Sequence, residues 1–227
     1  MFHFRFWFIL LIHSFVYASP EDSVICIHGL FAGPWTMQYI AKHFEKDGYQ
    51  VKNWGYPSLD RKIEEHAENL VRELKKIALE KPGRPMQFIA HSLGCLVLRS
   101  AVNHPECPGE AKMGKVVLLA PPNQGSSWAR LLEQSTIVKK VLKEEAGKQV
   151  LTENDFKHLG EFPPSLQVLV IAGNWGINPF IQGENDGTIA VNETYLDTPH
   201  DHIVISTGHK TILMSHKALI LMREFLK

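Results

Sequence analysis

Short apolar runs recur along the chain, and amphipathic stretches fill the intervals between them. The runs are residues 23–28 (SVICIH), 49–54 (YQVKNW), 86–91 (MQFIAH), 115–120 (KVVLLA), 166–172 (LQVLVIA) and 202–206 (HIVIS). Runs of this length, several of them rich in Val and Ile, read as strands buried on both faces. Between the second and third runs, Ile63, Ala67, Leu70, Val71, Leu74, Ile77 and Ala78 form one stripe at helical spacing, with Glu68 and Arg72 four apart on the solvated side. Residues 35–47, ending at Gly48, and residues 211–226 carry helical patterns as well. Alternation of this kind predicts an α/β fold: a mainly parallel sheet of about six strands with helices on both faces.

Two stretches depart from the alternation. The connection from Pro121 to Pro164 is much longer than an ordinary crossover and has its own helical stripe of Trp128, Leu131, Leu132, Val138 and Leu142. It follows a strand end, on the side where parallel sheets carry ligands, so residues 121–164 are expected to form a helical cap or lid within a domain spanning 19–227. Residues 1–18 carry one arginine, an apolar stretch from Phe6 towards Val16, and small residues at Val16-x-Ala18. That is the pattern of a signal peptide, with export to the periplasm or exterior as its consequence. An uncleaved N-terminal membrane anchor is the alternative.

Composition narrows the functional classes. The 227 residues are 44% hydrophobic and 21% charged, enough for one sizeable core. The formal net charge is zero, so there is no basic field to gather nucleic acid. Cys26, Cys95 and Cys107 show no paired spacing, and the first two lie inside apolar runs, which argues against a disulfide scaffold.

The candidate chemistry sits at the ends of the strand runs. Ala90-His91-Ser92-Leu93-Gly94 joins the third run to an apolar helix, the context of a G-x-S-x-G nucleophile elbow with Ala90 in place of the first glycine. Small residues on either side let the chain turn sharply and present the hydroxyl above the sheet; read more simply, Ser92 only caps the helix. At the end of the first run, His28-Gly29 frees the backbone, and the amides of Leu30 and Leu93 are the candidate oxyanion donors. Twelve histidines compete for the role of base. His209 lies just past the last strand beside Gly208, at the sheet end where sites collect, and His216, placed in the final helix, is the reserve. His28 and His91 adjoin the motifs and are expected to point elsewhere, while His200 and His202 flank the wrong end of the last strand. For the acid, Asp186 in Asn185-Asp186-Gly187 follows the fifth strand; Glu184 and Asp197 are alternatives, and Asn-Asp-Gly is turn chemistry in its own right. No metal-ligand spacing emerges and no cofactor is required.

Taken together, "VICIHGLFAGPW", "FIAHSLGCLVLRSA", "NDGTIAV" and "GHKTILMSHKALILMREFL" resemble the lipase and esterase branch of the α/β-hydrolases, specifically the small class-2 type with alanine before His-Ser-x-Gly. The resemblance covers residues from about 23 to the C-terminus outside the 121–164 insertion. It implies Ser92 as nucleophile, Asp186 as acid, His209 as base, and Leu30 with Leu93 as oxyanion donors. It further implies an ester or acyl-lipid substrate and transient contact with a membrane surface. An acyltransferase or thioesterase would use the same triad, and a catalytically silent hydrolase fold that binds lipid or protein is the third expectation.

Overall fold

The computed structural model describes residues 22–128, 149, 153 and 155–227. Six parallel strands form one sheet: β1 Ser23–Ile27, β2 Gln50–Trp54, β3 Met86–His91, β4 Lys115–Leu119, β5 Gln167–Gly173 and β6 Asp201–Ile205, in the spatial order β2-β1-β3-β4-β5-β6. Four helices are described: α1 Pro34–Lys46, α2 Ile63–Glu80, α3 Leu93–Asn103 and α4 His216–Leu226. The strand runs expected from the sequence are all present, shifted by at most a residue at either end.

Alternation along each strand sends successive side chains to opposite faces, and each face has its own core. Ile25, Ile27, Phe88, Ala90, Val116, Leu118, Val168 and Val170 pack with α2 and α3. Val24, Cys26, Ile89, Val117, Leu119, Leu169 and Ile171 pack with α1 and α4. Burial on both faces is why these strands read as continuous apolar runs. The edge strand β2 has one face exposed, and its pattern accordingly alternates. On α2 the predicted stripe is buried from Ile63 to Ile77, while Arg72 and Glu68 form an exposed pair at 4.0 Å, an interaction of little energetic weight. All three cysteines are buried and free.

The final helical stretch differs from expectation. Residues 211–226 divide into a 3-10 turn, Thr211–Met214, and α4, which starts at His216. Ser215 breaks the run because its side chain accepts from the Ala218 amide at 3.2 Å, the hydrogen bond of an N-cap. Ile212 and Leu213 are buried as well, so the apolar stripe runs on through the break.

The greater part of the expected cap, and four of the five stripe residues assigned to it, lie outside the described residues, as does the 1–18 segment. The returning arm of the insertion packs on the body of the domain. Phe156, Leu159 and Phe162 join the core beside α3, and Asn103 on α3 donates to the Glu161 carbonyl at 2.8 Å.

Candidate active site

The chain leaves β1 in one direction to form β2 and crosses to the other side of β1 to form β3. The carboxyl ends of β1 and β3 therefore flank the point where strand order reverses, the place where open parallel sheets leave a crevice. Gly29 and Leu30 follow β1, and Ser92 follows β3.

Ser92 stands between strand and helix. Its amide still donates to Leu119 of β4 at 3.0 Å, and the next residue opens α3. To make that change its backbone takes φ 51° and ψ −123°, a left-handed conformation that costs a non-glycine residue on the order of 1–3 kcal/mol. Its side chain caps nothing in α3, which excludes the simpler reading of this serine. Two close approaches fix the glycines around it. A Cβ at Gly94 would come within 2.5 Å of the His28 carbonyl and 2.8 Å of the Ile27 carbonyl. A Cβ at Gly29 would come within 2.9 Å of the Ser92 Cβ. Ala90, in the place of the elbow's first glycine, points into the core under α2 and α3, where a methyl group fits.

Ser92, His209 and Asp186 form one continuous chain of hydrogen bonds. His209 Nδ1 lies 2.7 Å from Asp186 Oδ2, and His209 Nε2 lies 3.0 Å from Ser92 Oγ. A carboxylate only accepts, so Nδ1 carries the proton and Nε2 is left to accept from the serine hydroxyl. Asp186 is held in turn: its Oδ1 accepts from the amides of Thr188 at 2.9 Å and Ile189 at 2.7 Å, and the residue is 5% exposed. The Asn-Asp-Gly turn and the histidine partner are thus the same aspartate performing both tasks.

The alternatives lie elsewhere. His216 is exposed at the first position of α4. Glu184 is exposed and accepts weakly from Asn174 at 3.4 Å, and Asp197 is exposed beside Gln124. His202 stacks on Tyr195 with ring centroids 3.9 Å apart. His28 is buried: its Nδ1–H donates to the Gly29 carbonyl at 2.9 Å, its Nε2 accepts from the Tyr56 amide at 3.3 Å, and burial holds its pKa below the ordinary value. The Tyr56 hydroxyl donates to the His28 carbonyl at 2.8 Å, so the turn after β1 is braced from β2's side.

A groove of about 450 Å³ opens over Ser92 and His209, lined by Leu30, Phe31, Trp35, Tyr39, Leu213 and Met214. Its wall is mostly apolar, with His91, Ser92, His209, Lys210 and Thr36 as the polar lining, the arrangement of a small-molecule site. A larger groove, about 550 Å³, lies at the opposite end of the sheet near Gln167 and Asp201, away from this constellation.

Sequence reading missed three supports of the site, the first being His91, which was expected to point elsewhere and instead reaches the His209 carbonyl with its Nε2 at 2.9 Å. Tyr56 follows β2 and carries no motif. Glu193 is 8% exposed and bridges two loops: one carboxylate oxygen accepts from the Ala190 amide at 2.9 Å and the other from the Ser127 amide at 2.5 Å. It ties the start of the long insertion to the loop of Asp186, and with alanine rather than serine or threonine three residues before it the sequence carries no capping-box signal.

Residues 19–119 match the family described as "Putative serine esterase", a span of less than half the chain. No curated protein sequence matches the chain. Among solved structures, the mature form of lipase BlEst2 from Bacillus licheniformis superposes with a TM-score of 0.74 at 19% identity, covering 93% of this chain and 94% of that one. Phospholipase PlaB from Legionella pneumophila gives 0.68 at 15% identity over 91% of this chain and 59% of its own. The metagenomic carboxyl esterase MGS0156 gives 0.62 at 13% identity over 85% and 66%. The fold is that of the α/β-hydrolases.

Proposed function

We propose that this α/β-hydrolase is a serine esterase that cleaves carboxylic esters through an acyl-enzyme on Ser92. The observation that carries the reading is the unbroken Ser92-His209-Asp186 hydrogen-bond chain at the mouth of an apolar groove. The names of the similar structures, a lipase, a phospholipase and a carboxyl esterase, support an ester as the substrate class.

In this reading Ser92 Oγ attacks the ester carbonyl carbon while its proton passes to His209 Nε2. Asp186 accepts from Nδ1, fixes the tautomer and stabilises the imidazolium. The oxyanion is received by the amides of Leu93, the first residue of α3, and Leu30, which follows Gly29 at the groove wall. An amide at a helix N-terminus has no intrahelical acceptor and suits a negative charge. Collapse breaks the bond to the alkoxy oxygen, which leaves as the alcohol with the proton from His209. Water then gives a proton to the same nitrogen and attacks the acyl carbon; the bond from that carbon to Ser92 Oγ breaks, Oγ takes the proton back from His209, and the carboxylic acid leaves. The acyl chain lies along Phe31, Trp35, Leu213 and Met214. Residues 1–18 act as a removable export leader, checked by the N-terminus of the mature chain.

The test is hydrolysis of p-nitrophenyl esters from acetate to palmitate, with water competing against added alcohol and thiol acceptors. The parent turns over at least part of the series, and Ser92→Ala lowers kcat about 10⁴-fold or more. Product appearing mainly on the alcohol or thiol would make the chain an acyltransferase, and unchanged turnover in Ser92→Ala would remove the serine mechanism.

A further inference from the structure

His209 stands on a loop beyond β6, where no strand ladder holds its backbone, yet both of its backbone polar groups are bonded. Its N–H donates to the Asp186 carbonyl at 2.9 Å, and its carbonyl accepts from His91 Nε2 at 2.9 Å. With the two side-chain bonds, these four hydrogen bonds of His209 end on Asp186, on Ser92, or on the residue covalently joined to Ser92.

The ring of His91 lies against that of His209, centroids 4.9 Å apart, and the residue is 4% exposed. A carbonyl only accepts, so the His91 proton is on Nε2 and Nδ1 is bare. This Nδ1 is buried with no partner among the described residues and faces the turn after β1: a Cβ on Gly29 would stand 3.1 Å from it. An apolar side chain of similar bulk would fill the same space without stranding a lone pair. What only the imidazole supplies there is the bond to His209. Burial first, and then the nearness of His209, His28 and Lys210, hold the His91 pKa down at about 3, so no second positive charge forms beside the imidazolium that His209 becomes during turnover.

We propose that His91 is a positioning residue: the bond from its Nε2–H to the His209 carbonyl sets the height and tilt at which the base meets Ser92, and its ring couples the His209 loop to the Gly29 turn. The proposal rests on the reading of Ser92 and His209 as nucleophile and base.

Three substitutions separate the bond from the bulk. His91→Gln places an amide nitrogen as many bonds from Cα as Nε2, His91→Asn places one at the position of Nδ1, and His91→Leu has no donor. Each is assayed as the full chain on p-nitrophenyl butyrate, with active sites counted by fluorophosphonate and folding checked by thermal midpoint. His91→Leu and His91→Asn lower kcat on the order of 10- to 100-fold at nearly unchanged KM, the scale of a misplacement of about an ångström. His91→Gln recovers most of that loss. The far-downfield proton resonance of His209 Nδ1–H shifts or broadens in the first two and returns in the third. A folded His91→Leu with parental kcat overturns the proposal, as do three variants impaired equally and only in proportion to lost stability. A parent that neither labels nor hydrolyses shows a different failure, that of the esterase reading, and the proposal falls with it.

Discussion

Asp186 has two oxygens with separate tasks, one held by the amides of Thr188 and Ile189 and the other facing His209 Nδ1. Asp186→Asn preserves the shape but offers His209 an N–H or a weaker acceptor, which favours the wrong tautomer. The expected outcome is a fall in kcat of about 10⁴-fold with the thermal midpoint little changed, measured on the same ester. Gly94 is tested by bulk. Its added methyl in Gly94→Ala meets the carbonyl of His28, which already accepts from Tyr56 and lies at the end of a central strand. Neither side gives way freely, so overpacking of about 1–3 kcal/mol is expected in the urea midpoint, together with lost activity. At this scale Gly29, Ser92 and His209 were legible because each sits just past a strand run, and Asp186 because its Asn-Asp-Gly turn lies in the loop after the fifth strand. His91, Tyr56 and Glu193 were not, since what they do depends on partners distant in sequence or on another loop. The bond from His91 spans 118 positions, and no local pattern announces such a pairing.

Elements are tied together by single buried groups on the loops between them. Glu193 satisfies one amide on the Asp186 loop and one at the head of the insertion. Glu193→Gln removes one of the two acceptor oxygens and leaves a buried amide without its partner, an expected loss of about 1–3 kcal/mol. A thermal midpoint unchanged from the parent would show that the two loops hold without this bridge. The sequence also read as continuous what Ser215 divides, because helical periodicity registers the buried Ile212 and Leu213 but not the serine side chain that ends the 3-10 turn and caps α4. The arm from Phe156 to Phe162 shows the same limit: its apolar residues were visible, but not that they serve the core beside α3.

Across the whole molecule, the alternation of runs and stripes was enough to expect a parallel sheet covered on both faces, because strands buried on both sides leave continuous apolar runs in the sequence. Strand order is not in that imprint, and it is the order that puts Gly29 and Ser92 side by side at the reversal point. Burial of histidines gives the fold a pH dependence. His66 is fully buried, with neither ring nitrogen hydrogen-bonded among the described residues, and burial lowers its pKa from 6.5 to about 4; that of His91 is lowered to about 3. Below about pH 6.5 the unfolded chain binds protons that the folded chain refuses. Stability is therefore full above that pH and falls as pH drops towards 4. The urea midpoint is expected to decline between pH 7 and pH 4.5, and less steeply in His66→Phe.

Ser92 as nucleophile is tested most directly by covalent labelling of the purified chain with a fluorophosphonate, followed by mapping of the modified residue by mass spectrometry. One label per chain is expected, on Ser92, with none in Ser92→Ala and labelling slowed by orders of magnitude in His209→Ala. A folded parent that takes no label, or a label carried on a serine other than Ser92, would contradict it.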